Sequence, residues 1–335
     1  MKAEILTLLR ERADFVSGQE LCEHFGVSRT AVWKGINQLK KEGYLIEAVQ
    51  NRGYRLREES EEIYGQNELA SRIQTKWMGR PAKFYEELSS TNAQAKVEAE
   101  NGAQAGTLIV TDSQSAGRGR RGRGWSSPPG TNVYFTLILK PEFAPDKASM
   151  LTLLMALAVA RGINRSLTEA GETKESHTLG IKWPNDIVVN GRKVCGILTE
   201  MSVERDYIQY VVIGVGINVK RQEFAPEIAA TAASLEEEYG RKLSRCALIA
   251  NILKAFEEDY RIFCKTENLS DLRAWYDAFL VNRNREVCVL EPGGEYRGVA
   301  RGINDVGELL VELADGTVKE VYAGEVSVRG IYGYV

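Results

Sequence analysis

Nine residues from Gly117 to Trp125, GRGRRGRGW, hold four arginines, four glycines and a tryptophan. Arginine presents a planar fork that grips a carboxylate or phosphate through paired hydrogen bonds. Glycine lets backbone N–H groups close on an anion and accepts positive φ. Trp125 adds a flat apolar face. The same composition occurs in disordered nucleic-acid-binding tails. Here, however, the run stands between the strand-like segments GTLIVTDSQ and NVYFTLILK, which makes it a loop between core elements. Repulsion among its arginines favours ordering only when an anion arrives.

Three further stretches carry candidate chemistry. In KWPNDIVVNGRKVCGILTE, Lys182 and Lys193 flank a turn at Asn190-Gly191, so a hairpin would set KWPND against KVCGIL. Lys193 reads equally as a solvated hairpin lysine and as a cation aimed into a site. In IGVGINV, Gly214 and Gly216 thin a strand, either for tight sheet packing or to let a ligand lie close. In SSTNAQAK, Ser90, Thr91 and Asn92 open a helix, as a cap or as hydrogen-bonding groups for a polar ligand head.

The elements that must hold these groups fall into three regions. Residues 1–57 show helical spacing at Ile5, Leu8 and Leu9, at Leu21 and Phe25, and at Val32, Ile36 and Leu39. Gly26 ends the second helix and Ser28 caps the third. Two short helices joined by FGVS have helix-turn-helix spacing, and YLIEAVQNRGYRL reads as a β-hairpin wing. Arg29, Thr30, Trp33, Lys34 and Asn37 would then face a DNA duplex, with Ser28 at the helix start and Arg52 and Arg55 on the wing near phosphates. A three-helix protein-interaction module with solvated basic residues is the other reading. The acidic run REESEEIYGQNE marks a junction. Residues 65–281 mix strand and helix patterns without a regular βαβ alternation, which points to the α+β class. From Asn282, short β-patterned pieces punctuated by EPGGEY, INDVGE and LADGT fit a five-strand barrel.

Composition agrees with two or three soluble domains. The 335 residues are 44% hydrophobic and 27% charged, with net charge −3. Residues 1–57 carry ten Lys/Arg against seven Asp/Glu, a basic head on an acidic remainder. The five cysteines (Cys22, Cys195, Cys246, Cys264 and Cys288) form no CxxC pair, and His24 and His177 lack metal-ligand spacing. Reduced, mostly buried thiols in a cytoplasmic protein are expected. The N-terminus, charged throughout its apolar pattern, reads as no signal peptide. The apolar run Met150–Ala160 meets Arg161 before reaching membrane-spanning length and is expected to be a core helix, so no membrane partner is expected.

Taken together, STN, QSAGRGRRGRGW, KWPNDI, RKVCGIL, GVGIN and the C-terminal GEVSVR strongly resemble the bacterial bifunctional biotin–protein ligases that also repress the biotin operon. The resemblance covers all three regions in order. It implies an N-terminal winged helix-turn-helix (1–60), a central mixed-sheet ligase domain with helices (65–281) and an SH3-like barrel (282–335). Gly124 stands where a lysine or another residue is often found in the family, which costs one possible cation and keeps the four arginines. By similarity, biotin and MgATP give biotinyl-5′-AMP, and the biotin then passes to a lysine of a biotin carboxyl carrier protein. Arg118, Arg120, Arg121 and Lys193 would serve catalysis. Ser90, Thr91, Asn92, Gln114 and the loop backbone from Gly117 through Arg118 and Gly119 to Arg120 would hold the biotin head. Gly196, Gly214 and Gly216 would flank its apolar body. Trp125 would stack on adenine, with Asn185 and Asn218 as further nucleotide contacts. Mg²⁺ would arrive on ATP, without a dedicated protein metal site. The adenylate would favour a homodimer that binds operator DNA. A biotin sensor without ligase activity, and a lipoate or octanoate ligase, are the alternative functions.

Overall fold

The computed structural model describes residues 1–12, 14–57, 62–171, 178–291, 294–322 and 327–330. His177, residues 58–61 of the acidic junction, Pro292 and Gly293 of EPGGEY and residues 324–326 of GEVSVR lie outside the described residues. The chain divides into two compact units, Met1–Gln74 and Thr75–Val335.

In the first unit, α1 (Lys2–Arg12), α2 (Gly18–Phe25) and α3 (Arg29–Lys41) bury one apolar stripe each: Ile5, Leu6 and Leu9 from α1, Leu21 from α2, and Val32, Ile36 and Leu39 from α3. Capping sets the turn. Ser17 accepts the Glu20 N–H, Gly26 ends α2 in the left-handed conformation, and Ser28 accepts the Ala31 N–H. The wing is the antiparallel pair β1 (Ile46–Val49) and β2 (Gly53–Leu56). A side chain at Gly53 would strike the Val16 carbonyl, so the wing closes on the segment before α2 only with glycine there. Part of the expected junction is helical: α4 (Gln66–Arg72) packs on α1, with Glu68 paired to Arg10. Residue 65, where the central domain was expected to begin, therefore falls inside the first unit.

The second unit is built on a seven-stranded mixed sheet. Its strands are β3 (Ala82–Leu88), β4 (Leu108–Gln114), β5 (Val133–Leu139), β6 (Leu179–Lys182), β7 (Asp186–Val189), β8 (Arg192–Glu204) and β9 (Tyr207–Ile217), in the order β3-β4-β5-β9-β8-β7-β6. Between β3 and β4, α5 (Thr91–Glu100) makes the crossover, so that pair is parallel while every other pair is antiparallel. The Met150–Ala160 run lies in α6 (Met150–Glu169), which is buried along most of its length. Following α7 (Leu235–Tyr239), α8 (Arg245–Thr266) crosses α6 so closely that a Cβ at Gly162 would meet Ile252. After α9 (Arg273–Phe279), a second sheet holds β10 (Glu286–Glu291), β11 (Gly294–Ile303), β12 (Leu309–Glu312), β13 (Val318–Val321) and β14 (Ser327–Gly330). All its pairs are antiparallel, in the order β13-β12-β11-β10-β14, and no pairing of β13 with β14 closes it among the described residues. Trp183 ties the two sheets together. Its buried indole donates to the Gly307 carbonyl at 3.1 Å, and its backbone N–H donates to Asn282 Oδ1 at 2.9 Å.

Entry into the second unit is fixed by one carboxylate. Glu257 on α8 accepts the N–H groups of Lys76, Trp77 and Met78 at 2.9, 2.9 and 3.1 Å. Burial pushes this carboxyl up, but the three N–H donors outweigh it and hold its pKa below the ordinary value. A lowered folded-state pKa gives stability that is present at neutral pH and lost as pH falls through that value. Acidification is therefore expected to loosen residues 76–78 first. Amide exchange protection there should fall with pH in the parent, while Glu257→Gln should show low protection that changes little with pH.

Candidate ligand site over the glycine strands

The loop from Gly117 to Trp125 is folded back on itself. Gly119 N–H donates to the Arg123 carbonyl and Trp125 N–H to the Gly117 carbonyl, with a short turn at Arg120–Gly122 in which Arg121 is left-handed (φ 56°). Gly117 is required where it stands, since a Cβ would lie 2.4 Å from the Trp125 carbonyl oxygen. The fold of the loop sends Arg118 and Arg121 to solvent and leaves Arg120 partly buried.

Two consecutive residues of KWPND organise the cations. Asn185 Oδ1 accepts from Arg120 Nη1 at 2.9 Å, while its amide donates to the Ile197 carbonyl. Asp186 pairs with Lys193 Nζ at 2.6 Å. Desolvation pushes the Arg120 guanidinium down; Asp186 pulls it up and Arg121 pushes it further down. Asn190 and Gly191 form the hairpin turn in left-handed conformations, as their sequence suggests. Lys182 does not oppose Lys193 across that turn. It is buried and pairs with Asp186 in the β6–β7 register, whereas Lys193 pairs with Val188.

The glycines of β8 and β9 make a floor that other side chains occupy. Gly196 and Gly216 are cross-strand partners, and the Trp125 ring rests on both. A Cβ at Gly216 would lie 2.6 Å from Trp125 Nε1, and one at Gly196 3.0 Å from the ring edge. Lys193 Nζ stands 5.4 Å from the ring centroid. The Trp125 indole N–H is buried without a hydrogen-bond partner, a polar group left for something that enters. Gly214 is covered by Asn92, whose Oδ1 would be 2.1 Å from a Cβ there. The Asn92 amide is fully used by the protein: it accepts from Thr136 Oγ1 (2.6 Å) and donates to Glu200 Oε2 (2.8 Å) and the Leu198 carbonyl (3.2 Å). Asn92 thus supports the site, while Ser90, two residues earlier, makes no capping hydrogen bond.

Thr91 donates through its N–H and hydroxyl to Gln114 Oε1, at 2.9 and 3.2 Å, and Gln114 Nε2 donates to Ser127 Oγ at 2.9 Å. The structure thus brings Thr91 and Gln114 together beside the loop. Asn218 is engaged elsewhere, since its amide donates to the Ala233 carbonyl and ties the end of β9 to the segment before α7. Arg120 and Arg121 also line a cleft of about 730 Å³ with Leu198, Glu200, Glu291 and Tyr322. Sequence reasoning overlooked Asp186, Glu200, Ser127 and Thr136. Asp186 and Glu200 stood within a quoted stretch; Ser127 and Thr136 carry no local signal.

On the first unit, Arg29, Thr30, Trp33 and Lys34 are exposed along α3, Trp33 at 57%, and Asn37 is half-buried. Arg52 is exposed on the wing above the Phe15 ring. Arg55, also on the wing, is paired with Glu47 at 2.9 Å and lies over the Phe15 ring. Ser28 spends its hydroxyl on the cap.

A mixed sheet with a cationic loop over a glycine floor, joined to a winged helical unit and a small antiparallel sheet, is the architecture of a biotin-ligase-type protein. The sequence profile of the biotin/lipoate A/B protein ligase family matches residues 85–218, that of an HTH domain residues 2–55, and that of the biotin protein ligase C-terminal domain residues 284–329. The bifunctional ligase/repressor BirA of Bacillus subtilis is 39% identical, over 93% of this chain and 94% of its own length. The Escherichia coli protein of the same name is 30% identical, over 97% and 96%. The biotin protein ligase of Aquifex aeolicus in complex with biotin and ATP superposes with a TM-score of 0.62 at 29% identity, covering 74% of this chain and 98% of that one. The chain belongs to the BirA family of bifunctional ligase/repressors.

The contact between Gly214 and Asn92 is testable. Gly214→Ala should destabilise the second unit by about 1–3 kcal/mol through overpacking. In an Asn92→Ala background the cost should shrink, as read from urea unfolding of the four proteins of the cycle.

Proposed function

We propose that the chain is an ATP-dependent biotin–protein ligase that also acts as a biotin-responsive repressor. The observation that carries the ligase reading is the convergence of Arg120, Lys193 and Trp125 over Gly196 and Gly216, with Thr91 and Gln114 beside them. In the first step the biotin carboxylate attacks the α-phosphorus of ATP, a carbonyl-to-phosphate mixed anhydride forms and pyrophosphate leaves. Two anions must meet, so fixed cations lower the barrier. Mg²⁺ enters as part of the MgATP substrate. In the second step a neutral lysine of a biotin carboxyl carrier protein attacks the biotinyl carbonyl, giving an amide and releasing AMP.

Arg118 and Arg121, exposed on the loop, are suited to meet the phosphate as the loop closes, and Arg120 and Lys193 are already oriented by Asn185 and Asp186. Ser90, Thr91, Gln114 and the loop backbone serve the ureido head, Trp125 the adenine. Closure excludes water from the labile anhydride. No enzyme nucleophile is needed. The division into winged helical, catalytic and C-terminal domains belongs to the same reading, with the catalytic part starting at Thr75 instead of residue 65, as does a cytoplasmic location.

The repressor function rests on the winged helical unit with its exposed Arg29, Thr30, Trp33, Lys34 and Arg52. A homodimer favoured by the adenylate would present two such units to an operator with two half-sites. Lys34→Ala is expected to weaken operator binding across sequences and to lower the salt slope by about one.

The decisive assay supplies biotin and MgATP, then an apo carrier domain. Biotinyl-AMP followed by a biotinylated carrier is the expected result. Activation of lipoate or octanoate in place of biotin would overturn the substrate assignment, and failure to activate any of them would leave a sensor. Arg118→Gly should lose retained adenylate, by faster release or slower synthesis, as followed by rapid filtration; unchanged retention and rate would remove the loop from the mechanism.

A further inference from the structure

Beyond the groups assigned to biotin or ATP, one half-buried polar network at the cleft wall has no role so far. Glu200 lies on β8, two residues after Leu198 of GIL. One carboxylate oxygen accepts from Lys96 Nζ of α5 at 2.6 Å, and the other accepts from the Asn92 amide at 2.8 Å. Burial pushes this carboxyl up; Lys96 and Asn92, with the more distant charge of Arg118, outweigh it and keep the group ionised. The same amide is fixed at its other end by the fully buried Thr136 hydroxyl, and it lies flat on Gly214. Asn92 is the second residue of α5, directly after Thr91 and two after Ser90.

We propose that Glu200 is a positioning residue for the biotin-head end of the site: its carboxylate, balanced by Lys96, fixes the Asn92 amide and so the helical turn that presents Ser90 and Thr91. The inference rests on the ligase reading above. Without the carboxylate, one Asn92 donor loses a charged acceptor and the turn is free to lift from Gly214. That movement would disturb the pairing of Thr91 with Gln114. Arg120 and Lys193 would be unaffected, because Asn185 and Asp186 hold them. Apart from the distant charge that Glu200 presents to Arg118, the network therefore acts at the biotin end.

The test is steady-state biotinyl-AMP formation by the full-length chain, with melting temperature recorded alongside. Glu200→Gln should raise the KM for biotin about tenfold, the usual scale for losing a hydrogen bond to a charged group, and leave the KM for MgATP within about twofold. Thr136→Val, which cuts the other bond to the same amide, should produce the same selective rise. The double variant should lose less than the product of the two effects, because both act through Asn92. If Glu200→Gln does not fold, the Thr136→Val result decides alone. An active parent whose variants keep its biotin KM overturns the inference and leaves the ligase reading intact. So does a loss that falls equally on both substrates with a lowered melting temperature, the mark of general structural support. A parent that forms no biotinyl-AMP removes the ligase reading, and the inference with it.

Discussion

Two cations held in one small site repel each other, and here consecutive residues of one turn take one each. Asn185 receives Arg120 and Asp186 receives Lys193. The partners differ in kind. Asn185 orients Arg120 through a neutral amide, whereas the one carboxylate, Asp186, pairs with Lys193 and also pulls the Arg120 pKa up. The loop, the β7–β8 hairpin and the glycine floor all depend on that division. With two carboxylates the site would be neutralised in advance; with none, the cations would splay.

The glycine floor illustrates what the sequence could and could not disclose. Gly196, Gly214 and Gly216 announce missing side chains, and the alternatives of packing and ligand approach were both open on sequence grounds. Side chains of the protein itself cover all three. Gly214 is filled by Asn92, which lies far away in the chain, while Gly196 and Gly216 support a tryptophan that leaves its own N–H unpartnered. Local spacing marks a vacancy and does not say what fills it. For the same reason Thr136 and Glu200 were illegible: each matters only through an amide brought from another element.

The elements themselves were more legible. Helical stripes at Ile5–Leu9 and Val32–Leu39, the caps at Gly26 and Ser28, and the turn at Asn190-Gly191 are local physical requirements. Arg55 shows where such reasoning stops. Its charge suggested a phosphate contact, but the β1–β2 register sets Glu47 directly opposite, and Arg57 takes the same carboxylate. Glu47 is held below the usual carboxylate range, foremost by its hydrogen bond to Arg55. Register, not residue type, gives that arginine its partner within the fold.

Trp183 carries a consequence of a different kind. Its indole and its backbone N–H reach Gly307 and Asn282, and the next residues in the chain are Pro184, Asn185 and Asp186. The small antiparallel sheet is thus bonded, through one buried side chain, to the turn that partitions the cations. Three sequence modules are thereby gathered into two compact units, and a change in the C-terminal strands has a direct bonded route to the ligand site.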